Sequence, residues 1–154
     1  MVYFTIAGGE IVPEIEMSSS ETILDLKEKI RKELEVEVDR QNLWYNNRML
    51  RDHELIADHG FRGNVRLMLN VTPLSPDYKL HVMVKHPGSD GFVRVRETDK
   101  VRHLRGKVER CWGVPPRRFT LSRLNVEMKD NFPLSAYYIN EASEVELKII
   151  IEPR

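Results

Sequence analysis

The residues that most often carry out enzyme chemistry are few in this chain and widely spaced. The single cysteine, Cys111, has no histidine and acid at a spacing that would activate its thiol, and its place in a predicted helix favours an inert thiol that faces the core. Among the histidines, His53 and His59 fall on predicted turns, and His81 and His86 on a strand and a turn. A metal site needs more ligands at shorter spacing. The sequence therefore predicts no enzyme activity, no metal site and no cofactor.

Arginine and lysine concentrate in the second half of the chain. Ten basic residues lie between positions 94 and 123, opposed by Glu97, Asp99 and Glu109. Clustered arginine binds either acidic protein surfaces or nucleic-acid phosphates. The candidate contacts are Arg102, Arg105, Arg117, Arg118 and Arg123. We expect an acidic protein partner, with RNA as the alternative, because the two aromatic residues of this stretch, Trp112 and Phe119, are expected to pack in or near the core.

The net charge of zero conceals a difference between the two halves of the chain. Residues 1–72 carry nine basic and 13 acidic residues, a net charge of −4, whereas residues 78–154 carry 15 basic and 10 acidic residues, a net charge of +5. Asp77 balances the sum. The two halves therefore present different electric fields to partners.

The bulk composition is that of a folded protein. Hydrophobic residues make up 41% and charged residues 31% of the chain, which is enough to build a core. One cysteine excludes an internal disulfide, and no apolar run approaches the roughly 20 residues that a membrane-spanning helix needs. Because the chain enters a strand pattern at once, without a secretory leader, we expect a cytoplasmic or nuclear location, no membrane contact and a monomer.

Hydrophobic spacing predicts the same elements in each half. In the first half, a hairpin turns at Gly8-Gly9, and a helix follows with apolar residues on one face at Ile23, Leu26, Ile30 and Leu34. Thr22 is the expected cap of this helix.

In the second half the hairpin turn is longer, and Val101, Leu104, Val108 and Cys111 form the helix stripe, with Thr98 or Asp99 as the expected cap. Short strands joined at Asn46-Asn47 and Leu124-Asn125 follow the two helices. The order predicts, in each half, a mixed sheet with one helix across it.

A constant offset relates the two halves. Shifting the chain by 78 residues aligns apolar positions over some fifty residues, for example Ile23 with Val101, Leu43 with Leu121 and Leu69 with Leu147. Two copies do not make a solenoid. The chain is therefore predicted to be α+β, with a first domain over residues 1–72, a proline-containing, semi-rigid linker over residues 73–77 and a second domain over residues 78–154.

Both copies resemble ubiquitin. The first aligns without a gap over residues 1–71 and shares Met1, Phe4, Thr22, Ile23, Lys27, Lys29, Ile30, Asp39, Gln41, Leu43, Leu50, Asp52, Asp58, Leu67 and Leu69. The second is more divergent and needs one extra residue in its first turn; it shares Asp99, the turn at 113–116, Leu121, Asp130, Leu134, Ser135, Tyr137, Ile139, Ser143 and Leu147. The resemblance implies two tandem ubiquitin-like β-grasp domains, like those of tandem ubiquitin-like proteins in plants and other eukaryotes.

The resemblance also implies that this chain is not conjugated to targets. Ubiquitin-like modifiers end in Gly-Gly because their enzymes thread a tail without side chains to the active site. The matching positions hold Ser75-Pro76 and Pro153-Arg154, and proline lacks the backbone freedom that such a tail needs.

Ubiquitin receptors read an apolar patch whose three positions hold Gly8, Trp44 and Asn70 here. Met68 would widen this patch, and Arg48, Arg51 and Arg66 would form a basic rim. Tryptophan is a strong interface residue, although Trp44 could instead pack inward. In the second copy, the tryptophan and asparagine positions hold Ser122 and Lys148, which gives a polar face.

The sequence therefore predicts a non-conjugated adaptor in the ubiquitin and proteasome system. Its partner would be a ubiquitin receptor, a proteasome subunit or a ligase component. RNA binding through the basic second domain is the alternative.

Overall fold

The structure is a computed structural model that describes residues 1–115 and 118–149. The chain divides into two compact units, Met1–Pro73 and Leu74–Arg154. Each unit is a five-stranded mixed sheet with one α-helix, so the predicted tandem of ubiquitin-like β-grasp domains is confirmed. No helix in the described ranges is long and apolar enough to cross a membrane.

The first unit contains β1 (Val2–Ala7), β2 (Glu14–Met17), α1 (Ile23–Leu34), β3 (Gln41–Tyr45), β4 (Arg48–Met49) and β5 (Gly63–Val71), with short 3-10 helices at Val38–Arg40 and Ile56–His59. The strands lie in the order β2-β1-β5-β3-β4. Only the central pair of this sheet, β1 and β5, is parallel.

The second unit repeats this plan with β6 (Leu80–Lys85), β7 (Gly91–Val95), α2 (Val101–Trp112), β8 (Phe119–Arg123), β9 (Val126–Glu127) and β10 (Glu144–Ile149), plus a 3-10 helix at Leu134–Tyr137. The sheet order is β7-β6-β10-β8-β9, with β6 and β10 parallel. Every strand therefore has a counterpart in the first unit.

Alternation along the strands separates a core face from a solvent face in the first unit. On β1, Val2, Phe4 and Ile6 are buried, and on β5, Val65, Leu67 and Leu69 are buried. The residues between them point to the other face of the sheet, because successive strand side chains alternate. The predicted helix stripe, Ile23, Leu26, Ile30 and Leu34, is fully buried, so the helix and one sheet face share the core.

The β3–β4 and β8–β9 hairpins turn on residues with left-handed backbone. Asn46 and Asn47 have φ of 48° and 64°, and Leu124 and Asn125 have φ of 49° and 65°. Positive φ at both central residues is the pattern of a type I′ turn, whose twist matches that of the strands. The two-residue turns fix the strand register: Tyr45 pairs with Arg48 and Trp44 pairs with Met49.

The helix caps differ between the units. The backbone N–H of Asp25 donates to Thr22 Oγ1 at 3.1 Å, and the backbone N–H of Thr22 donates to Asp25 Oδ2 at 3.0 Å, which makes a reciprocal capping box. The hydrogen bonds from Thr22 hold the pKa of Asp25 below its ordinary value. Helix α2 begins instead after Lys100, which makes no side-chain cap, so the expected cap at Thr98 or Asp99 is wrong.

The segment between the units is held from both sides. In the first unit, the backbone N–H of Thr72 donates to the Arg40 carbonyl at 2.8 Å, and Arg40 Nε donates to the Thr72 carbonyl at 3.0 Å. In the second unit, the backbone N–H of Leu74 donates to Glu97 Oε1 at 2.7 Å, and the backbone N–H of Tyr78 donates to the Ser75 carbonyl. Most of the predicted linker over residues 73–77 thus forms a turn that belongs to the second unit.

Candidate functional site

A row of apolar side chains crosses the solvent face of the first sheet. Strand register aligns Ala7 on β1 with Met68 on β5, Met68 with Trp44 on β3, and Trp44 with Met49 on β4. Trp44 is 37% exposed, Met68 48% and Met49 45%, whereas Ala7 is buried. With strands about 4.8 Å apart, four aligned positions span about 14 Å. We call Ala7, Met68, Trp44 and Met49 the Trp44 row.

Polar residues flank the Trp44 row on both sides. Asn42 and Asn70 are paired on one side, and the Asn42 amide donates to the Thr72 hydroxyl at 2.9 Å. On the other side, Thr5 lies in register with Arg66 and with Glu14. An apolar centre with a polar rim is the composition of a protein-binding surface.

Gly8 lies beside Met68 at the end of β1. Its φ is 129°, and a Cβ built there would overlap the carbonyl oxygen of Leu69 and come within 3.4 Å of Met68 Sδ. This close approach of two backbones requires glycine. The predicted binding position at Gly8 therefore contributes backbone to the edge of the row.

Two of the predicted rim arginines, Arg48 and Arg66, differ in their register relative to the Trp44 row. Arg48 pairs with Tyr45, one position out of phase with Trp44 and Met49, and its guanidinium lies 3.5 Å from Glu54. The backbone N–H of Arg51 donates to the Glu54 carboxylate, and this hydrogen bond holds the pKa of Glu54 below its usual range. Glu54 is therefore anionic and partly neutralises Arg48. Arg66, which is exposed, is the predicted rim arginine whose register position is on the same face as the row.

Met49 belongs to this surface although the sequence reasoning missed it. The signal was present, because a two-residue turn at Asn46-Asn47 dictates that the residues two before and two after it are paired. Counting outward from the turn pairs Trp44 with Met49.

In the second unit the equivalent row is charged. Register aligns Lys85, Glu146, Ser122 and Glu127 across the four matching strands. The Asp90 carboxylate accepts a hydrogen bond from Lys85 and raises the pKa of that amine. Ser122 is buried, and the neighbouring row pairs Lys148 with Thr120. The second sheet thus keeps the register of the first while its matching row is polar.

The family of the chain follows from sequence comparison. The model of the ubiquitin family, described as "Ubiquitin family", matches residues 5–74 and again residues 77–150. The chain belongs to the ubiquitin family. The two matched segments cover both units described above, which agrees with the resemblance of both copies to ubiquitin.

The chain is also similar to the following individual proteins. The chain is 23% identical over 128 residues to Ubiquitin D of Rattus norvegicus, covering 80% of each protein. Among solved structures, the ubiquitin-like domain of an Arabidopsis thaliana protein is 29% identical, with a TM-score of 0.48, over 53% of this chain and 87% of that one. ATBAG1, solved in complex with HSP70, is 20% identical, with a TM-score of 0.45, over 48% of this chain and 42% of that one.

Arg105 of the second ubiquitin-like domain, one of the predicted partner contacts, is bound within its own domain. Its side chain is only 15% exposed. It pairs with Asp130 at 2.9 Å, donates to the Phe119 carbonyl at 2.7 Å, and lies over the Phe119 ring at 4.9 Å. Lys27 makes the corresponding pair with Asp52 at 2.6 Å in the first domain.

Arg123, another of the predicted contacts, is buried inside the second domain. It is 1% exposed, and its Nη2 donates to the Tyr138 carbonyl at 3.4 Å. By the 78-residue offset it takes the place of Tyr45, which packs edge-on against Phe61 at 4.9 Å. Arg123 therefore replaces a half-buried aromatic ring and cannot reach a partner.

Two of the predicted arginine contacts, Arg102 and Arg118, are exposed, and Arg117 lies outside the described residues. Arg110, which was part of the basic stretch but not among the predicted contacts, is exposed as well. The basic surface of the second domain is thus narrower than the sequence indicated.

Cys111 is exposed, so the expectation that it faces the core is wrong. The fourth position of the helix stripe is Trp112, which the offset aligns with Leu34. Trp112 Nε1 donates to the Ser89 carbonyl at 2.8 Å, and its ring packs so closely on Gly91 that an added Cβ would lie 2.9 Å from it. Within the described ranges, no three His, Cys, Asp or Glu residues are grouped to hold a metal ion.

Proposed function

We propose that this chain is a non-conjugated adaptor, a monomer that works in the cytoplasm or the nucleus and binds through the Trp44 row. Its partner would be a ubiquitin receptor, a proteasome subunit or a ligase component. Membership of the ubiquitin family supports a role in protein interaction. The observation that carries the finer proposal is the row itself, with three large apolar side chains exposed in register on neighbouring strands.

The chemistry of the row favours a protein partner. Tryptophan buries a large area at low conformational cost, and methionine adapts its shape to a partner's side chains. Isolated exposed apolar residues are ordinary on a protein surface, but a contiguous patch with a polar rim is typical of an interaction site. The matching row of the second domain is charged, so the fold does not require an apolar row at this position. The apolar side chains of the Trp44 row are therefore better explained by binding.

Truncating Trp44 tests this function. We expect Trp44→Ala to weaken binding to ubiquitin-binding modules by tenfold or more, because a central tryptophan contributes about 2 kcal/mol or more to an interface. Titrating the full chain with a panel of such modules, followed by amide chemical shifts, measures this effect. Phe92→Ala is the matched control, since Phe92 is an aromatic residue 57% exposed on β7 of the second domain. Binding that survives Trp44→Ala, or no binding by any module, contradicts the proposal.

The absence of conjugation is tested separately. We expect no thioester between this chain and ubiquitin-activating enzymes, because Ser75-Pro76 and Pro153-Arg154 replace the flexible diglycine. The turn at Ser75 and the Leu74–Glu97 hydrogen bond also oppose an extended tail after the first domain. Ubiquitin serves as the positive control on a non-reducing gel. A thioester band for this chain would refute the non-conjugated part of the proposal.

RNA binding by the second domain has less support than the sequence indicated. Arg105 and Arg123 are engaged within their own domain, and Arg102 and Arg118 are the described candidates that remain exposed. No structural observation favours RNA specifically.

A further inference from the structure

Helix α2 breaks local rules that helix α1 obeys. Helix α1 has a capping box at Thr22 and Asp25, an acid in its first turn and basic residues in its last turn. Helix α2 has no side-chain cap at Lys100 and no acid in its first turn; it carries Arg102 and His103 there instead. Cations near a helix N-terminus oppose the helix dipole. Violations of local sequence rules are expected at functional or strained sites.

A glycine in the middle of α2 is the third violation. Gly106 aligns with Glu28 of α1, whose carboxylate pairs with Arg31 at 3.1 Å. Glycine is among the least favourable residues inside a helix, and a Cβ added at Gly106 would meet no atom within 4 Å. Packing within the domain therefore does not require this glycine. What glycine provides here is bare backbone that another molecule can approach closely.

The exposed side chains around Gly106 are basic. Arg102, Gly106 and Arg110 are spaced by four residues, so they line one stripe of the helix, and both arginines are exposed. At 1.5 Å per residue, Arg102 and Arg110 lie about 12 Å apart along the axis. His103, whose side chain is 51% exposed, lies beside the stripe, 3.8 Å from Asp99.

The end of the helix is not itself an anion site. The backbone N–H of Val101 donates to the Phe132 carbonyl at 3.0 Å, and that of Arg102 donates to the Asp130 carbonyl at 3.2 Å. These donors are occupied within the domain. An acidic ligand of this helix would therefore contact its side, where Arg102 and Arg110 are exposed.

We propose that the stripe of Arg102, Gly106 and Arg110 binds an acidic α-helix of a protein partner. This site goes beyond the Trp44 row, because it lies on the other domain and binds a ligand of opposite character. A helix that carries a small residue where it crosses Gly106 can approach closely, since Gly106 has no side chain to separate the two backbones. Two carboxylates about two turns apart on that helix, at i and i+8, match the spacing of the two arginines.

The observations favour an acidic helix over nucleic acid. Nucleic-acid affinity grows with the number of phosphates contacted, and the stripe offers only two arginines, with Glu109 on its flank. Bases stack on aromatic rings, but on helix α2 itself the Trp112 ring packs on Gly91 and its Nε1 is bonded to Ser89. Phe119 is 2% exposed.

A designed peptide tests the proposal. The probe is a labelled 18-residue helical peptide of Ala, Leu and Glu with carboxylates at i and i+8 and Ala at i+4, and its control has Gln in place of Glu. We expect the Glu peptide, but not the Gln control, to bind the full chain. Binding should shift the amide signals of Arg102, Gly106 and Arg110. Arg102→Glu with Arg110→Glu should weaken binding at least tenfold. Lys129→Glu with Lys148→Glu, which makes the same charge change at other exposed sites of the second domain, should leave binding within about twofold.

A substitution at Gly106 distinguishes an effect on peptide binding from an effect on helix stability. Gly106→Leu should raise the thermal stability of the second domain, because leucine favours helix, yet weaken peptide binding by blocking the close approach. Four outcomes would overturn the proposal: equal binding to both charge-reversed variants, unchanged binding by Gly106→Leu, binding of an RNA duplex at least as tight as that of the peptide at the same salt, or self-association through the stripe in light scattering.

Discussion

Replacing Gly8 by leucine will destabilise the first domain by about 3 kcal/mol, even though it restores the apolar residue that ubiquitin has at this position. The φ of 129° at Gly8 is a backbone conformation that other residues adopt only under strain, at a cost of about 1–3 kcal/mol. The added Cβ would also overlap the Leu69 carbonyl oxygen, so the β1–β5 pair must shift. The leucine of the ubiquitin patch therefore cannot be regained by substitution at this position alone.

Urea unfolding followed by amide signals assigned to each domain measures this loss. Gly60→Ala is the matched control, because Gly60 has a φ of 64° and no atom within 4 Å of an added Cβ. It should cost only the left-handed backbone penalty of about 1 kcal/mol. Equal unfolding free energies for Gly8→Leu and the unaltered chain would show that the close approach to Leu69 is not a restraint in solution.

Replacing Arg105 by alanine will destabilise the second domain by about 2–4 kcal/mol. The change removes the ion pair with Asp130, the hydrogen bond to the Phe119 carbonyl and the contact with the Phe119 ring. A hydrogen bond to a charged group is worth about 1.5–3 kcal/mol and a cation–π contact about 0.5–1 kcal/mol. Arg102→Ala, three residues earlier on an exposed face, should change stability by less than about 0.5 kcal/mol.

Arg105→Lys refines this comparison. Lysine should keep the pair with Asp130, as Lys27 does with Asp52, but it lacks the second donor that reaches Phe119. Its stability should fall between that of the unaltered chain and that of Arg105→Ala in the same unfolding measurement. If Arg102→Ala and Arg105→Ala cost the same, the division between structural and surface arginines is wrong.

The fold could be predicted because its determinants are local and repeated. Apolar spacing located both helices, two-residue turns located the hairpins, and the 78-residue offset showed that the plan occurs twice. Cys111 was assigned to the core because its spacing from Val108 suits a helix stripe. The 78-residue offset instead aligns Trp112 with the buried Leu34, and Trp112 is half-buried whereas Cys111 is exposed.

The surface residues were harder to predict because charge alone does not report burial. Arg105 could have been recognised as structural, since it aligns with Lys27, which is packed. The burial of Arg123 depends on the position of the Tyr138 carbonyl, which is distant in sequence, so no local signal revealed it. The missing acidic first turn and the glycine of helix α2 are visible in the sequence. They stand out as unusual only when α2 is compared with α1, which has a capping box and no glycine.

The short tether between the domains affects how their separate affinities combine. Pro73 alone lies between Thr72, which is bonded to the first domain, and Leu74, which is bonded to the second. Once one domain is bound, the other is confined to a small volume around it, at an effective concentration on the order of millimolar. Two weak contacts, one apolar and one electrostatic, would then act as one strong contact on any assembly that offers both within reach. On an assembly whose sites lie farther apart, the same chain would bind no more tightly than one domain does.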